Sequence, residues 1–280
     1  MQVFYSDVRD YFCEWDYLQE IINYLTPKLD DEYILHVACL SEECSNYKDG
    51  VKFVEGKKNI IIGTSDEFME DISPLYKEKA DAIFKQYLLP EQESKNVFSF
   101  PLGYNKKHIV CKNKPINERT INAFFAGHMA SVNRHNNLLP LIKAFENNRP
   151  DKLEIFITNG FNQGFTGLKY SEKLHNSKIA ICPPGNESIE TFRLYEAMRS
   201  GCVVVTPKLP VTEIYKNTSI VQVDDWNNNA ATTIIDLLKD ENKLTEIKKG
   251  IDKDWKEIFS PEAAAKRIID KLNELFSNSK

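Results

Sequence analysis

The chain has 280 residues, 42% of them hydrophobic and 28% charged, with 11 Gly and 12 Pro. That is enough apolar material for one large or two modest packed domains, and it excludes collagen-like, disordered and disulfide-knotted classes. The 41 acidic and 36 basic residues are mixed along the chain and give a formal net charge of -5, which argues against nucleic acid as a partner.

From the N-terminus, short runs rich in Val, Ile and Phe alternate with helix-length amphipathic stretches, the pattern of βαβ units and parallel sheets. Strands are expected at Val3–Tyr5, Tyr33–Ala38, Val51–Val54, Asn59–Gly63 and Val97–Phe100, with a helix over Glu14–Leu25. The polar stretch around Pro115 reads as a linker, 106–119, between a first domain of residues 1–105 and a second of 120–259. In the second domain strands are expected at Ile121–Ala126, Leu153–Thr158, Lys178–Cys182, Cys202–Thr206 and Ser219–Val223, and helices at Asn136–Asn147, Tyr170–Asn176 and Ile189–Ser200. Helices over Asn227–Lys239, Lys243–Phe259 and Pro261–Phe276 follow, the last with Ser260 placed as N-cap and Pro261 as first helical residue.

The six cysteines lie far apart and lack CxxC spacing, so they read as reduced thiols. The first residues carry no basic and apolar leader pattern, and no run approaches a membrane span. The expectation is a cytoplasmic protein.

Chemistry concentrates in Ser177–Pro207, which reads strand, Pro-Pro-Gly loop, helix, glycine stop, strand. Pro183, Pro184 and Gly185 end the first strand. The free N–H groups expected just after them would seat an anionic phosphate, and Gly201 falls where a left-handed C-cap is wanted. Arg193 and Glu196, three apart, share a helix face. A guanidinium suits bidentate contact with a diphosphate, and a carboxylate suits the two hydroxyls of a ribose. The same spacing also fits a solvated Glu190–Arg193–Glu196 ion-pair ladder, but ligands of open α/β sheets bind beyond strand carboxyl ends, where this segment must lie.

The segment resembles the donor-binding half of GT-B glycosyltransferases, most closely the exostosin-like group. The resemblance rests on Pro184-Gly185, Arg193-Leu194-Tyr195-Glu196-Ala197 and Gly201-Cys202-Val203-Val204-Val205, with Ile83–Tyr87, Phe100-Pro101-Leu102-Gly103 and Phe124-Phe125-Ala126-Gly127 plus Arg134 upstream. It covers about residues 80 to 215. It implies two Rossmann-like domains with parallel sheets facing a central cleft, and a C-terminal helix, residues 260–280, crossing back to the first domain. It also implies a nucleotide-diphosphate-sugar donor held by Arg193 and Arg134 at the phosphates, Glu196 at the ribose, and Gly127, Pro184 and Gly185 where backbone comes close. The acceptor would be a glycan or glycolipid of a surface polysaccharide pathway, which leaves room for peripheral association with the inner face of the membrane.

Many retaining enzymes of this fold carry two glutamates eight apart. Here Ser188 stands eight before Glu196, with Glu187 and Glu190 out of step, which points to inversion. Inversion needs a base in the first domain. Asp66 and Asp7 are named for it, with Asp10, Glu67 and His128 as further cleft candidates; for each acid a helix-start role, favoured by the dipole alone, is the better fit. The sole Asp-x-Asp, Asp252-Lys253-Asp254, falls in an expected late helix on a solvated face, so no metal cofactor is expected. P-loop, dinucleotide and nucleophile-elbow motifs are missing. Alternatives left open are a nucleotide-sugar epimerase, a phosphoribosyl-donor transferase, and a non-catalytic binding protein on the same fold.

Overall fold

The computed structural model describes residues 1–5, 12–39, 51–112, 114–129, 132–148, 151–158, 160 and 163–277. Asp7 and Asp10 lie outside them. The chain divides into two compact units. Unit 1 comprises residues 1–103, 210–216 and 258–280; unit 2 comprises 104–209 and 217–257.

Unit 1 is built on a parallel sheet of β1 (Gln2–Tyr5), β2 (Tyr33–Cys39), β3 (Lys58–Thr64), β4 (Ala82–Lys85) and β5 (Val97–Ser99), adjacent in chain order. β3 reads Lys-Asn-Ile-Ile-Ile-Gly-Thr and is buried along nearly its whole length, as a parallel strand covered on both faces must be. Helix α1 (Trp15–Leu25) buries Tyr17, Leu18, Ile21, Ile22 and Leu25, a 3.6-residue stripe. Helix α2 (Pro74–Lys79) is a single short segment between β3 and β4.

The expected strand Val51–Val54 does not form. Instead the Asn59 side chain takes the backbone polar groups of Val54, accepting from its N–H at 2.9 Å and donating to its carbonyl at 3.0 Å. The four-residue β4 was not anticipated, because Ala-Ile-Phe-Lys is too short to show a period.

Unit 2 holds β6 (Ile121–His128), β7 (Leu153–Thr158), β8 (Ser177–Ile181), β9 (Val203–Pro207) and β10 (Val221–Val223), all parallel, in spatial order β10-β9-β8-β6-β7. Ala123, Phe125, Ile179, Ile181, Val203 and Val205 project from one face into a core with Leu138, Leu141 and Phe145 of α3 (Val132–Asn148) and Ala230, Ile234 and Leu237 of α6 (Trp226–Lys239). On the other face Phe124 meets Phe165 and Tyr170, the latter in α4 (Gly167–His175). Helix α5 (Phe192–Arg199) joins β8 to β9, and α7 (Glu241–Asp254) follows α6.

Residues 106–119 are no loose linker. Ile109 N–H donates to Ser171 Oγ at 2.9 Å, and Arg119, 3% exposed, donates to the carbonyls of Ser177 and Ser200 at 2.8 and 2.9 Å, so the stretch is sewn into unit 2. Arg119 satisfies buried carbonyls, while Lys106, Lys107 and Lys112 face solvent.

The chain leaves unit 2 through a π turn, Trp255–Phe259, and ends in α8 (Pro261–Ser277), which packs on α1 within unit 1. The Tyr17 hydroxyl donates to the Phe259 carbonyl at 2.9 Å at the base of that contact. Asp252-Lys253-Asp254 is not a wholly solvated face: Asp254 is 7% exposed and accepts from Ser219 N–H, while Asp252 pairs with Lys248 one turn earlier. Among the described residues no helix is long and apolar enough to cross a membrane.

Candidate functional site

The strand order of unit 2 locates its site. From β6 the chain moves outward to β7, then returns to place β8 on the other side of β6. Neighbouring connections therefore diverge between β6 and β8, and a crevice opens at their carboxyl ends, the usual ligand position in doubly wound sheets. Gly127 and His128 close β6; Cys182, Pro183 and Pro184 follow β8. Arg134, on α3, spans the two ends: its Nη1 donates to the His128 carbonyl at 2.9 Å and its Nε to the Pro184 carbonyl at 3.2 Å.

Arg193 enters the same place from α5. Its Nη2 donates to the Ala126 carbonyl at 2.8 Å, and its guanidinium carbon lies 4.5 Å from the centre of the Phe125 ring. Nε and Nη1 are buried without a hydrogen-bond partner. Gly127 makes room for this: a Cβ there would sit 2.6 Å from Arg193 Nη2 and 3.0 Å from Phe125 Cζ. A guanidinium with two desolvated N–H groups that lack an acceptor is suited to an anion by charge and by unmet hydrogen bonds.

The helix carrying Arg193 begins at Phe192, not at Ile189. Residues 185–190 are held in a turn of their own: Gly185 N–H donates to the Ser188 carbonyl at 2.6 Å, Glu190 N–H to Ser188 Oγ at 3.1 Å, and Tyr195 Oη to Glu190 at 3.3 Å. Such local bonds compete with helix formation. They also occupy the Gly185 N–H, so that donor is not free for the phosphate expected at Pro184-Gly185. At the true helix start Thr191 Oγ1 is buried without a partner and does not cap the helix. At the far end Gly201, φ +67°, completes the expected stop: its N–H bonds the Met198 carbonyl at 2.9 Å and that of Cys202 the Ala197 carbonyl at 3.0 Å.

The Glu190–Arg193–Glu196 ladder does not form. Glu196, 6% exposed, accepts from Tyr170 Oη at 3.0 Å and from the Asn105 N–H at 3.3 Å. Burial raises its carboxyl above the ordinary value, against the pull of Tyr170, Arg193 and Asn105. Burial likewise pushes the Cys182 thiol up to about 12, which suits the small buried hydrophobe its sequence position suggested.

Tyr170, Thr191 and the Asn105 N–H escaped the sequence reading, and Phe125 was named there without a role. Tyr170 sits on a different helix and Asn105 lies 91 residues from Glu196, so no local period could join them. In unit 1, Asp66 follows β3 and lies against Lys85 of β4, Oδ2 to Nζ 2.7 Å, with side chains 2% and 1% exposed. The approach has ion-pair distance without the alignment of a directed hydrogen bond.

The two five-stranded parallel sheets are those of the GT-B fold, and the buried Arg193 guanidinium, with two N–H groups unpartnered, lies at the switch point of the second. The match to known proteins agrees. Residues 76–207, a little under half of the chain, match the Exostosin GT47 domain model. Among solved structures, a point mutant of S. aureus TarM in complex with fondaparinux, alpha-GlcNAc-glycerol and UDP superposes with TM-score 0.53 at 14% identity, over 91% of this chain and 58% of TarM. A Listeria monocytogenes protein named for UDP-N-acetylglucosamine 2-epimerase gives 0.54 at 11% identity, over 100% and 96%. Anabaena HepE in complex with UDP and glucose gives 0.51 at 10%, over 97% and 98%. At these identities the likeness is one of fold. The chain spans little more than half of TarM but nearly the whole of the other two. No curated protein matches the sequence significantly.

Proposed function

We propose that this chain transfers a sugar, with inversion, from a nucleotide-diphosphate donor to a glycan or glycolipid acceptor in surface polysaccharide synthesis. The observation that carries the reading is Arg193: a buried guanidinium with two unpartnered N–H edges at the β6–β8 switch point. The UDP in the TarM and HepE structures supports a nucleotide as a ligand of this fold.

In this reading Arg193 and Thr191 take the diphosphate and compensate the charge that gathers on the leaving group as the glycosidic bond breaks. Arg134 fixes the two loops that flank the crevice, and Gly127 and Pro184 shape it. Glu196, held by Tyr170, accepts from the ribose hydroxyls on its remaining lone pairs. Arginine serves where other folds use a metal, so turnover is proposed to need no added divalent ion.

The incoming hydroxyl needs a base. Asp66 has almost no accessible surface and is engaged by Lys85, so we assign the base to Asp7, two residues past the end of β1 in sequence. A panel of nucleoside diphosphates tests the donor site by thermal shift. One nucleotide should stabilise the chain, and Arg193→Ala should weaken it about 10- to 100-fold, the worth of one or two charged hydrogen bonds. No stabilisation by any of them would overturn the reading.

A second reading, epimerisation of the nucleotide sugar, is favoured by the 96% coverage of the Listeria protein. Conversion of a nucleotide sugar with no acceptor present would establish it.

A further inference from the structure

The residues from Tyr104 to Asn117 carry four lysines, Lys106, Lys107, Lys112 and Lys114, and no carboxylate, in a chain of net charge -5. Between the lysine pairs lie two aliphatic side chains, Ile109 and Val110, 45% and 59% exposed. Their exposure is built in. His108, 6% exposed, is bonded through Nε2 to Ser200 Oγ at 3.1 Å; Ile109 N–H is taken by Ser171, and Cys111 N–H donates to His175 Nε2 at 3.2 Å. With the backbone pinned on both sides, Ile109 and Val110 cannot turn inward.

Leu168 of α4, 50% exposed, extends the surface, because Gly167 packs directly on the Lys107 carbonyl. Lys169 next to it adds charge; Glu172, close to Cys111, opposes it, and Glu118 follows the stretch in sequence.

We propose that this face of unit 2, lysines around Ile109, Val110 and Leu168, docks on an anionic lipid bilayer. Lysine is depleted in the cores of protein interfaces, and an Ile-Val pair offers nothing to base edges or stacked bases. A bilayer accepts both halves of the pattern: aliphatic tips enter the headgroup boundary while flanking ammonium groups meet lipid phosphates. The proposal deepens the glycolipid-acceptor reading by naming the surface that brings the chain to its substrate, and its physical claim is measured without sugar transfer.

The test is co-sedimentation of the full chain with phosphatidylcholine vesicles and with phosphatidylcholine/phosphatidylglycerol vesicles. Binding is expected only to the anionic ones, weakened by salt. Lys106→Gln/Lys107→Gln should lower the partition coefficient roughly 25-fold, about fivefold for each lysine. Ile109→Ser/Val110→Ser should also lower it, with melting temperature nearly unchanged and nucleotide binding retained, because these side chains are 45% and 59% exposed. Equal binding to neutral vesicles, variants that bind like the parent, or preference for a soluble polyanion such as DNA over anionic vesicles would each overturn it. A chain that binds anionic vesicles but no nucleotide would sink the donor-site reading and leave this one standing.

Discussion

Replacing Lys85 by Met removes the ammonium that faces Asp66 at 2.7 Å, where the two side chains are 1% and 2% exposed. A carboxylate left buried without its partner costs about 3–5 kcal/mol, whereas exchanging both members of a buried pair for uncharged groups of similar volume is near neutral. Asp66→Asn alone strands the ammonium and should cost a comparable amount. Asn keeps the Oδ1 that accepts from Glu70 N–H at 3.3 Å. The double variant should then lie within about 1 kcal/mol of the parent, a coupling of several kcal/mol between directly touching groups. Urea unfolding, with hydrogen exchange on peptides spanning β3 and β4 to isolate unit 1, measures all three. A cost below about 1 kcal/mol for Lys85→Met, or additive single effects, would refute the buried pair as an energetic unit. Turnover of the double variant carries the second arm: loss of a general base costs about 10²–10⁴-fold, so retained activity is expected with Asp7 as base, and a loss of that size would return the role to Asp66.

Gly127→Ala places a methyl 2.6 Å from Arg193 Nη2; the guanidinium end can swing away, so nucleotide affinity should fall at least tenfold with melting temperature nearly unchanged, and parental affinity would contradict the packing argument. Glu196 is pushed up by burial, so the folded chain keeps that proton to higher pH than the unfolded chain does. Its contribution to stability therefore falls as pH rises from the ordinary carboxylate value to the raised one, and Glu196→Gln should flatten the melting curve against pH over that window. His108 behaves oppositely on the acid side: burial, Arg199 and His175 lower it to about 3 from 6.5. The unfolded chain thus binds more protons as pH falls through that interval and stability is lost. His108→Gln should blunt this loss, and an unaltered acid limb in differential scanning calorimetry would count against it.

Much of the fold was legible because parallel strands buried on both faces must be apolar runs, and Ile60–Ile62 or Val203–Val205 can be little else. The glycine stop at Gly201 was equally local, a matter of one backbone conformation. Arg193 and Glu196 stood out as a pair but were placed in a mutual ladder or on a ligand, and neither picture foresaw their partners. Ala126, Asn105 and Tyr170 reach them across 67, 91 and 26 residues. The start of α5 was misplaced by three residues because Ser188 and Glu190 bond locally, a choice that helical spacing does not reveal.

The sequence by itself determined which segments are buried strands and amphipathic helices, since periodicity and backbone punctuation act over a few residues. Only the tertiary structure decided that β8 returns beside β6, which makes a crevice out of two strand ends, and that the Arg193 guanidinium is desolvated there with two edges unmet. Strand order and desolvation belong to contacts between distant residues, and no local pattern encodes them.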